Sequence, residues 1–287
     1  MSRIAYVNGR YLPHRAASVH VEDRGYQFAD GVYEVCEVRD GRLVDMPRHL
    51  ARLARSLDEL RIAKPMHENA LVHVLRETVR RNRVRDGLVY LQVTRGAAKR
   101  DHAFPGAGTK PALVVTARTA DRGAAEAKFA EGVAVVTVPD NRWERVDIKT
   151  VSLLPNVLAK QKAREAGAYE AWFVDADGNV TEGSSTNAWI VTRDGTVVSR
   201  PAESGILRGI TRTTLLEAIA DEGLTFEERP FTVDEAKEAK EAFITAATTI
   251  LVPVVRIDDA SVGNGHPGET TARLRDAFRR RVESMPV

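Results

Sequence analysis

The sequence contains very little cysteine and no long hydrophobic run. Cys36 is the only cysteine among 287 residues, so an intrachain disulfide is impossible and the usage is typical of a reducing compartment such as the cytoplasm. The longest uncharged apolar-rich stretch, 242–255, has 14 residues and includes Pro253, and the first residues lack the apolar segment of a signal peptide. We therefore expect a cytoplasmic protein without a signal peptide or a membrane span.

The sequence also lacks a strong excess of charge of either sign. The 42 lysines and arginines against 40 acidic residues leave a net charge of +2, which is too small to predict nucleic-acid binding. The seven histidines include no pair at metal-ligand spacing, so no metal site is predicted. With 43% hydrophobic and 29% charged residues, the composition indicates a folded globular protein rather than a disordered one.

The length and the mixture of local patterns predict two α+β domains. A chain of 287 residues is about twice the usual domain length of roughly 150 residues. Both halves mix β-hairpins with helices and lack the regular strand–helix alternation of a doubly wound sheet. We predict an N-terminal domain over 1–119, an interdomain linker over 120–130, where Ala, Gly and charged residues are frequent, and a C-terminal domain over 131–287.

Local signals predict most of the elements. Asn8-Gly9 and Asp40-Gly41 predict hairpin turns, and leucines 50, 53, 57 and 60 predict an amphipathic helix that begins near Pro47. Further helices are predicted over 68–81, 156–166 and 210–221, and strands over 87–94, 111–116, 133–138, 169–174 and 187–192. The 16-residue connection 95–110 is long for a compact domain, which makes it a candidate binding loop.

One motif resembles a cofactor fingerprint without fitting its context. Residues 263–268 spell GxGxxG, the pattern of dinucleotide-binding turns. Pro267 interrupts it, and the roughly twenty residues that follow are too few for the strand–helix–strand unit which the fingerprint needs. We interpret this segment as a turn into the final basic helix.

Lys149 is an unusual residue in its surroundings. It lies in the stretch 146–154, whose β-branched residues suggest a buried strand or a strand end. Burial disfavours the ammonium form, so such an amine is available to form an imine with a carbonyl compound such as pyridoxal phosphate. A lysine at an edge strand that extends its ammonium into water is the alternative interpretation.

Glu182 and the segment 209–212 can each be interpreted as part of a binding site or as ordinary structure. Glu182 follows an alternating run at the edge of a predicted meander, where a carboxylate can keep a pyridine nitrogen protonated or can be a solvated turn residue. Residues 209–212 begin a helix, and backbone N–H groups at such a position bind phosphate or serve as an ordinary helix start.

Arginines at two other positions could bind anions. Arg52 lies beside the leucine stripe of the first predicted helix, and Arg100 with His102 lies in the long loop. An arginine can hold a carboxylate through two hydrogen bonds, and a histidine can add a donor. Taken singly, each of these residues is more typical of a solvated surface charge than of a binding site.

Taken together and in order, these segments resemble a known family over nearly the whole chain. The matching blocks are 23–28, 30–35, 49–53, 100–102, 147–149, 181–187 and 206–212. They resemble the D-amino-acid aminotransferase branch of the fold-type IV pyridoxal-phosphate enzymes. The resemblance implies a smaller N-terminal α+β domain and a larger, β-barrel-like C-terminal α+β domain.

The resemblance also implies roles for individual residues. Lys149 would be the Schiff-base lysine and the proton shuttle, Glu182 would pair with the pyridinium, and Arg52 would bind the phosphate of pyridoxal 5'-phosphate. The implied cofactor-binding residues are Arg52, Lys149, Glu182, Ser185, Leu207, Ile210, Thr211 and Thr248. The chain departs from the pattern at Ala246 and Ala247, where hydroxyl residues are common in the family.

For the substrate, the resemblance implies a trap for the α-carboxylate made of Tyr33, Arg100 and His102, with the arginine and the histidine on a loop of the neighbouring subunit. A homodimer with its active site at the subunit interface is therefore expected. The implied reaction is a ping-pong transfer of the amino group between D-amino acids, such as D-alanine and D-glutamate, and 2-oxo acids.

Other activities on the same scaffold stay open at this point. The sister enzymes are branched-chain L-amino-acid transaminases, R-selective amine transaminases and aminodeoxychorismate lyase, which share the surroundings of Lys149 and Glu182. A binding protein that keeps the fold without catalysis is an alternative of another class, and the intact lysine argues against it.

Overall fold

The chain divides into two compact units. The computed structural model describes residues 3–202, 205–282 and 284–286. The first unit contains Met1–Asp121, Ile148–Ser152 and Glu283–Val287, and the second contains Arg122–Asp147 and Leu153–Val282. These bounds differ from the predicted ones: a helix, Arg122–Glu131, occupies most of the predicted linker, and the segment with Lys149 groups with the first unit.

Helices and strands alternate irregularly in both units, which confirms the α+β class. The strands are β1 (Ile4–Val7), β2 (Arg10–Pro13), β3 (Gly31–Arg39), β4 (Arg42–Val44), β5 (Gly87–Thr94), β6 (Ala112–Thr119), β7 (Val133–Pro139), β8 (Glu170–Val174), β9 (Val180–Gly183), β10 (Asn187–Val191), β11 (Val197–Ser199), β12 (Phe226–Glu228), β13 (Glu241–Ala246), β14 (Ile250–Ile257), β15 (Ala260–Ser261) and β16 (Ser284–Pro286). The helices are α1 (Arg24–Phe28), α2 (Met46–Glu59), α3 (Glu68–Arg81), α4 (Arg122–Glu131), α5 (Leu154–Glu165), α6 (Ile210–Asp221), α7 (Val233–Glu238) and α8 (Glu269–Arg281), with one 3₁₀ turn at His14–Ala16.

The first unit is an antiparallel sheet in the order β16-β4-β3-β5-β6-β1-β2. The hairpin predicted at Asn8-Gly9 is present, and both residues adopt the positive φ that this turn requires, +46° and +93°. On α2, Leu50, Leu53 and Leu57 are buried in the core that the helix shares with the sheet, as their spacing predicts.

The segment around Lys149 attaches to this sheet. Ile148 is buried in the core of the first unit. Two backbone hydrogen bonds of 3.0 Å fix the segment to β3: Tyr33 N–H donates to Lys149 O, and Val151 N–H donates to Gly31 O. These bonds and a single antiparallel bridge hold the segment without forming a regular strand.

The second unit is a mixed sheet in the order β12-β11-β10-β13-β14-β7-β8-β9, with β15 on β14. Strand β7 runs parallel to both of its neighbours, β14 and β8. Strand β9, the last in this order, lies against β10, which is near the other end of the order. In the turn between these two strands, Gly183 N–H donates to Thr186 O at 2.7 Å. The sheet therefore curls back on itself, in agreement with the β-barrel-like domain that the resemblance implies.

Two local predictions in the second unit are confirmed. Thr232 caps α7 by accepting a 3.1 Å hydrogen bond from Glu235 N–H. The segment 263–268 is a turn that leads into α8, with Gly268 at the helix cap. None of the helices in the described part of the chain combines the length and the apolar character that a membrane crossing needs.

Candidate active site

Lys149 and Tyr33 are neighbours in the first unit. Lys149 is half-buried, and its Nζ lies 4.4 Å from the centre of the Tyr33 ring. The Tyr33 ring packs at 5.7 Å, centre to centre, against Tyr90. Burial, together with the nearby Tyr33, raises the pKa of Tyr90 to about 12, so this phenol is neutral at physiological pH. The structure thus brings together the lysine and one of the three predicted carboxylate-binding residues.

Arg52 lies on α2 and pairs with a buried carboxylate on β3. Arg52 Nε and Nη2 donate to the two oxygens of Glu34 at 2.7 and 2.8 Å, and His49 Nδ1 lies 2.7 Å from Glu34 Oε2. Burial by itself would raise the pKa of Glu34, but the charge and hydrogen bonds of Arg52 and the contact with His49 lower it to about 2. Glu34 is therefore ionised and holds the Arg52 guanidinium in a defined orientation.

Arg100 and His102 lie in the long loop between β5 and β6, and both side chains are exposed. They approach one aromatic ring: Arg100 Cζ is 5.1 Å and the His102 ring 5.4 Å from the centre of Phe28. Arg24 donates to the backbone oxygens of Asp101 at 2.6 Å and His102 at 3.3 Å. The predicted binding loop is therefore anchored to α1.

In the second unit, Glu182 is buried at the end of β9 and pairs with Arg142. Arg142 also donates to both oxygens of Asp140, at 2.9 and 2.7 Å. Burial opposes the charge of Arg142, but the hydrogen bonds with Asp140 and the charge of Glu182 raise its pKa. The charged arginine in turn favours the ionised form of the Glu182 carboxylate. A carboxylate that pairs with a pyridinium must be ionised.

One side-chain amide and one backbone N–H group orient Glu182 further. Asn187 Nδ2 donates to Glu182 Oε2 at 3.1 Å and to Leu207 O at 3.0 Å, and Leu207 N–H donates to Glu182 at 3.2 Å. The structure thus brings together Glu182 and Leu207, two of the predicted cofactor residues. Gly209 must lack a side chain, because a Cβ there would lie 2.1 Å from Asn187 Oδ1.

Ser185 is exposed and belongs to a group of three hydroxyls around a fully buried carboxylate. Ser185 Oγ donates to Glu170 Oε2 at 2.8 Å, Ser184 Oγ donates to Glu170 Oε1, and Thr186 Oγ1 lies 3.4 Å from Oε2. Lys160 Nζ is 3.3 Å from Glu170 Oε1. Glu170 therefore fixes the turn that follows Glu182 in the chain.

Apart from Arg52, the predicted phosphate-binding residues lie in two places of the second unit. Ile210 and Thr211 are the first residues of α6, which has no side-chain cap among the described residues, so its first N–H groups can bind an anion. Thr248 is exposed in the turn between β13 and β14. Next to it, Thr249 Oγ1 is buried with no hydrogen-bond partner in the described part of the chain, and Ile250 has a φ of +60°, which is unusual for a β-branched residue.

Donor groups within the second unit have the chemistry that pyridoxal 5'-phosphate needs. The uncapped start of α6 and the buried Thr249 hydroxyl suit a phosphate, and the buried Glu182 carboxylate suits a protonated pyridine nitrogen. In the first unit, Lys149 has an amine of the kind that can bind the aldehyde of this cofactor. By contrast, no group of three or more His, Cys, Asp or Glu side chains in the described residues could hold a metal ion.

Sequence reasoning missed the residues that support the site. Arg142 and Asp140 precede Lys149 in a loop with no recognisable motif, and Glu170 lies in a strand whose sequence indicates no functional role. Glu34 and His49 fall within the matched blocks, so their polar side chains near Arg52 in the sequence could have predicted a supporting role.

Comparison with known proteins identifies the family to which the chain is similar. Residues 31–257 match the amino-transferase class IV family. The D-alanine aminotransferase of Bacillus licheniformis is 43% identical over 277 residues, which cover 96% of this chain and 96% of that protein. The D-alanine aminotransferase of Staphylococcus haemolyticus is 37% identical over 279 residues, covering 97% and 98% of the two chains.

Solved structures of the same architecture are also similar. The Escherichia coli branched-chain amino acid aminotransferase matches with a TM-score of 0.90 at 22% identity, over 98% of this chain and 94% of that one, which shows the fold alone. The branched-chain amino acid aminotransferase of T.th., solved with pyridoxamine 5'-phosphate, matches with a TM-score of 0.89 at 26% identity, over 98% and 94% of the chains. By its sequence relatives, its fold and its matched residues, this chain belongs to the amino-transferase class IV family.

Proposed function

We propose that the protein transfers amino groups between D-amino acids of the D-alanine and D-glutamate type and 2-oxo acids, with pyridoxal 5'-phosphate as the cofactor and ping-pong kinetics. The observation that carries this proposal is the position of Lys149 Nζ 4.4 Å from the centre of the Tyr33 ring, in a chain whose relatives at 43% and 37% identity are D-alanine aminotransferases. This neighbourhood joins the catalytic amine to a residue of the proposed carboxylate trap.

Bound pyridoxal phosphate supplies an electron-withdrawing ring that stabilises negative charge at the substrate Cα. Lys149 would be the Schiff-base lysine that holds the cofactor, and its amine would move the proton at the substrate Cα as a general base. Glu182 would keep a proton at the ring nitrogen, and Leu207 would pack against the ring. Arg52, Ile210 and Thr211 would hold the phosphate, with Ser185 and Thr248 as further hydroxyl contacts.

Tyr33, Arg100 and His102 bind the α-carboxylate of the substrate in this proposal. A guanidinium can donate to both oxygens of a carboxylate, which selects amino acids over simple amines. The loop comes from the neighbouring subunit of a homodimer, and the enzyme works in the cytoplasm, in keeping with its single buried cysteine.

A branched-chain L-amino-acid transaminase is the second candidate. The observation that favours it is the similarity to the branched-chain amino acid aminotransferase of T.th., with a TM-score of 0.89 at 26% identity. The other sister activities, R-amine transamination and aminodeoxychorismate lyase, share the same catalytic residues.

A spectrum of the protein loaded with pyridoxal phosphate separates these candidates. We expect a visible absorbance band that collapses on addition of D-alanine and persists with L-leucine. Collapse with L-leucine alone would assign the protein to the branched-chain group, and release of pyruvate from aminodeoxychorismate without an oxo-acid acceptor would assign it to the lyases.

Replacement of the lysine tests the assignment of the amine. Lys149→Ala should lower kcat/KM for D-alanine by at least about 10²–10⁴-fold, the usual contribution of a positioned general base. Lys162→Ala, which removes an exposed lysine of α5, is the matched control and should leave kcat/KM unchanged. Retention of the D-alanine reaction in Lys149→Ala would refute the assignment.

Mixing two variants that are each strongly impaired at a low D-alanine concentration tests the dimer. Lys149→Ala and Arg100→Ala carry their defects on different residues, so a heterodimer whose loops serve the neighbouring subunit contains one intact site. Random mixing should then restore about a quarter of the wild-type activity, because half of the dimers carry one good site of two. Absence of any recovery after verified subunit exchange would place Arg100 in the site of its own chain.

A further inference from the structure

The loop that carries Arg100 and His102 is held by a buried arginine to which neither the matched blocks nor the proposed mechanism gives a role. Arg24 is 3% exposed and lies at the start of α1. Its Nη1 donates to Asp101 O at 2.6 Å and its Nη2 to His102 O at 3.3 Å. The guanidinium therefore holds the backbone carbonyl just before His102 and the carbonyl of His102 itself.

Arg24 is itself fixed from two directions. Its Nε donates to Asp30 Oδ2 at 2.8 Å, and its Cζ lies 4.8 Å from the centre of the Phe28 ring. Asp30 also accepts two hydrogen bonds from Arg95, at 2.7 and 3.0 Å, so its position does not depend on Arg24 alone. The guanidinium is thus held in one orientation when it meets the loop.

Phe28 provides a common surface for the same residues. Its ring has the guanidinium of Arg24 at 4.8 Å, that of Arg100 at 5.1 Å and the His102 ring at 5.4 Å, all measured between group centres. Contacts of this kind orient cationic and aromatic groups. Both exposed side chains of the trap are therefore directed by one aromatic ring.

The base of the loop is joined to the same part of the chain. Arg24 N–H donates to Gly96 O at 2.9 Å, and Arg95 N–H donates to Asp30 O at 3.1 Å. A loop of this length would otherwise sample many conformations, and ordering it on substrate binding would cost affinity. Because Arg24 anchors the loop in the folded protein, the entropic cost of ordering the loop is met on folding and not on substrate binding.

From this geometry we infer that Arg24 is a positioning residue for substrate binding: it pre-orders the loop so that Arg100 and His102 meet the α-carboxylate. This inference rests on the proposed function, since it needs the trap to bind substrate. In this role Arg24 contacts the loop backbone, Phe28 and Asp30, so it acts through Arg100 and His102 and not on the reacting atoms.

The test compares Arg24→Met with Arg61→Met. Arg61 approaches the same loop at Phe104, with 4.9 Å between its Cζ and the ring centre, and serves as the matched control. Because small misplacement of a binding group weakens its contacts strongly, Arg24→Met should raise KM for D-alanine about tenfold to a hundredfold with a much smaller change in kcat. Arg61→Met should leave KM within about twofold of wild type, as expected of an exposed surface change.

A double-variant cycle separates positioning from a general structural defect. If Arg24 acts through Arg100, then Arg24→Met should add almost nothing to the KM increase of Arg100→Ala. Arg24→Lys, which keeps the charge but cannot reach the three acceptors together, should give an intermediate KM and serves as the readout if the methionine variant folds poorly. An unchanged KM in Arg24→Lys and Arg24→Met, or a full additional penalty in the Arg100→Ala background, would overturn the inference.

The same data distinguish this failure from failure of the proposed function. If Arg100→Ala itself leaves KM for D-alanine unchanged, the carboxylate trap is assigned wrongly. If Arg100→Ala raises KM and Arg24→Met does not, only the positioning role of Arg24 is wrong.

Discussion

The charged clusters around Arg52 and around Glu182 are built with opposite polarity. In the first unit the proposed cofactor residue is a cation, Arg52, held by the buried carboxylate of Glu34, which also contacts His49. In the second unit the proposed cofactor residue is an anion, Glu182, held by Arg142, which also binds Asp140. Each functional charge is therefore oriented by an opposite charge that does not itself meet the cofactor in our proposal.

The two clusters differ in the residue at their centre and in the partners that it binds. Glu34 is one carboxylate that serves an arginine and a histidine, whereas Arg142 is one cation that serves two carboxylates. Loss of Asp140 leaves Arg142 paired with Glu182, while loss of the Glu34 charge removes the carboxylate from both of its partners. The first cluster should therefore be the more sensitive to a single change.

Within the two clusters, the largest effect on activity is expected at Glu182. Glu182→Gln removes the negative charge opposite the ring nitrogen, and we expect kcat to fall roughly 10²–10³-fold, as for loss of one preorganised electrostatic contact. Steady-state kinetics with D-alanine and 2-oxoglutarate measure this. Glu144→Gln, an exposed carboxylate of the same unit, is the control. A kcat within about threefold of wild type would show that Glu182 does not act on the cofactor.

The largest effect on stability is expected at Glu34. Glu34→Gln leaves Arg52, whose side chain is only 10% exposed, without its carboxylate. Removing one partner of a buried ion pair costs roughly 3–5 kcal/mol. Urea unfolding measures the loss, and titration with pyridoxal phosphate should show weaker binding because Arg52 is less well oriented. Unchanged stability together with unchanged cofactor affinity would contradict the role of Glu34 as a support.

A smaller loss is expected at Asp140. Asp140→Asn removes the charge of one of the two carboxylates of Arg142 but keeps an oxygen that can accept a hydrogen bond, so we expect a loss of about 1–3 kcal/mol. The same urea series as for Glu34→Gln gives the comparison. Equal losses of unfolding free energy in Asp140→Asn and Glu34→Gln would show that the second carboxylate of Arg142 does not reduce the cost of losing the first.

The pH dependence of stability should separate the clusters in acid. The pKa of Glu34 is about 2 in the folded protein against an ordinary value of 4.5, so the unfolded chain binds its proton first as the pH falls. Folding stability contributed by Glu34 is therefore complete above pH 4.5 and declines as the pH falls toward 2. Urea unfolding between about pH 6 and pH 3 should show a shallower decline in Glu34→Gln than in wild type; parallel curves would contradict this.

The smallest effect concerns Cys36, which lies on β3 near Glu34. Burial, and then the negative charge of Glu34, raises the pKa of the Cys36 thiol well above its usual value. We expect no reaction with thiol reagents in the folded protein at about pH 8 and one reactive thiol in urea. Glu34→Gln should increase the rate through local opening of the cluster, whereas Asp140→Asn should not. Rapid labelling of native wild type would contradict the buried position.

Where local chemistry dominates, sequence patterns predicted the structure well. The hairpin at Asn8-Gly9, the buried leucine face of α2 and the cap of α7 at Thr232 all follow from contacts within a few residues of the chain. The segment of Lys149 was harder, because its attachment to β3 depends on residues more than a hundred positions earlier. The same reason explains why it groups with the first unit.

By itself, the sequence determined the α+β class, most of the helices and strands, and the ordered motifs that identify Lys149, Glu182 and Arg52 as the residues of interest. Only the tertiary structure decided what holds those residues in place. Arg142 lies 40 positions from Glu182, Glu34 lies 18 positions from Arg52, and Arg24 lies 77 positions from the oxygen of Asp101. Such partners leave no periodic or local signal, because groups far apart in the chain meet only after the elements and loops that carry them have packed together.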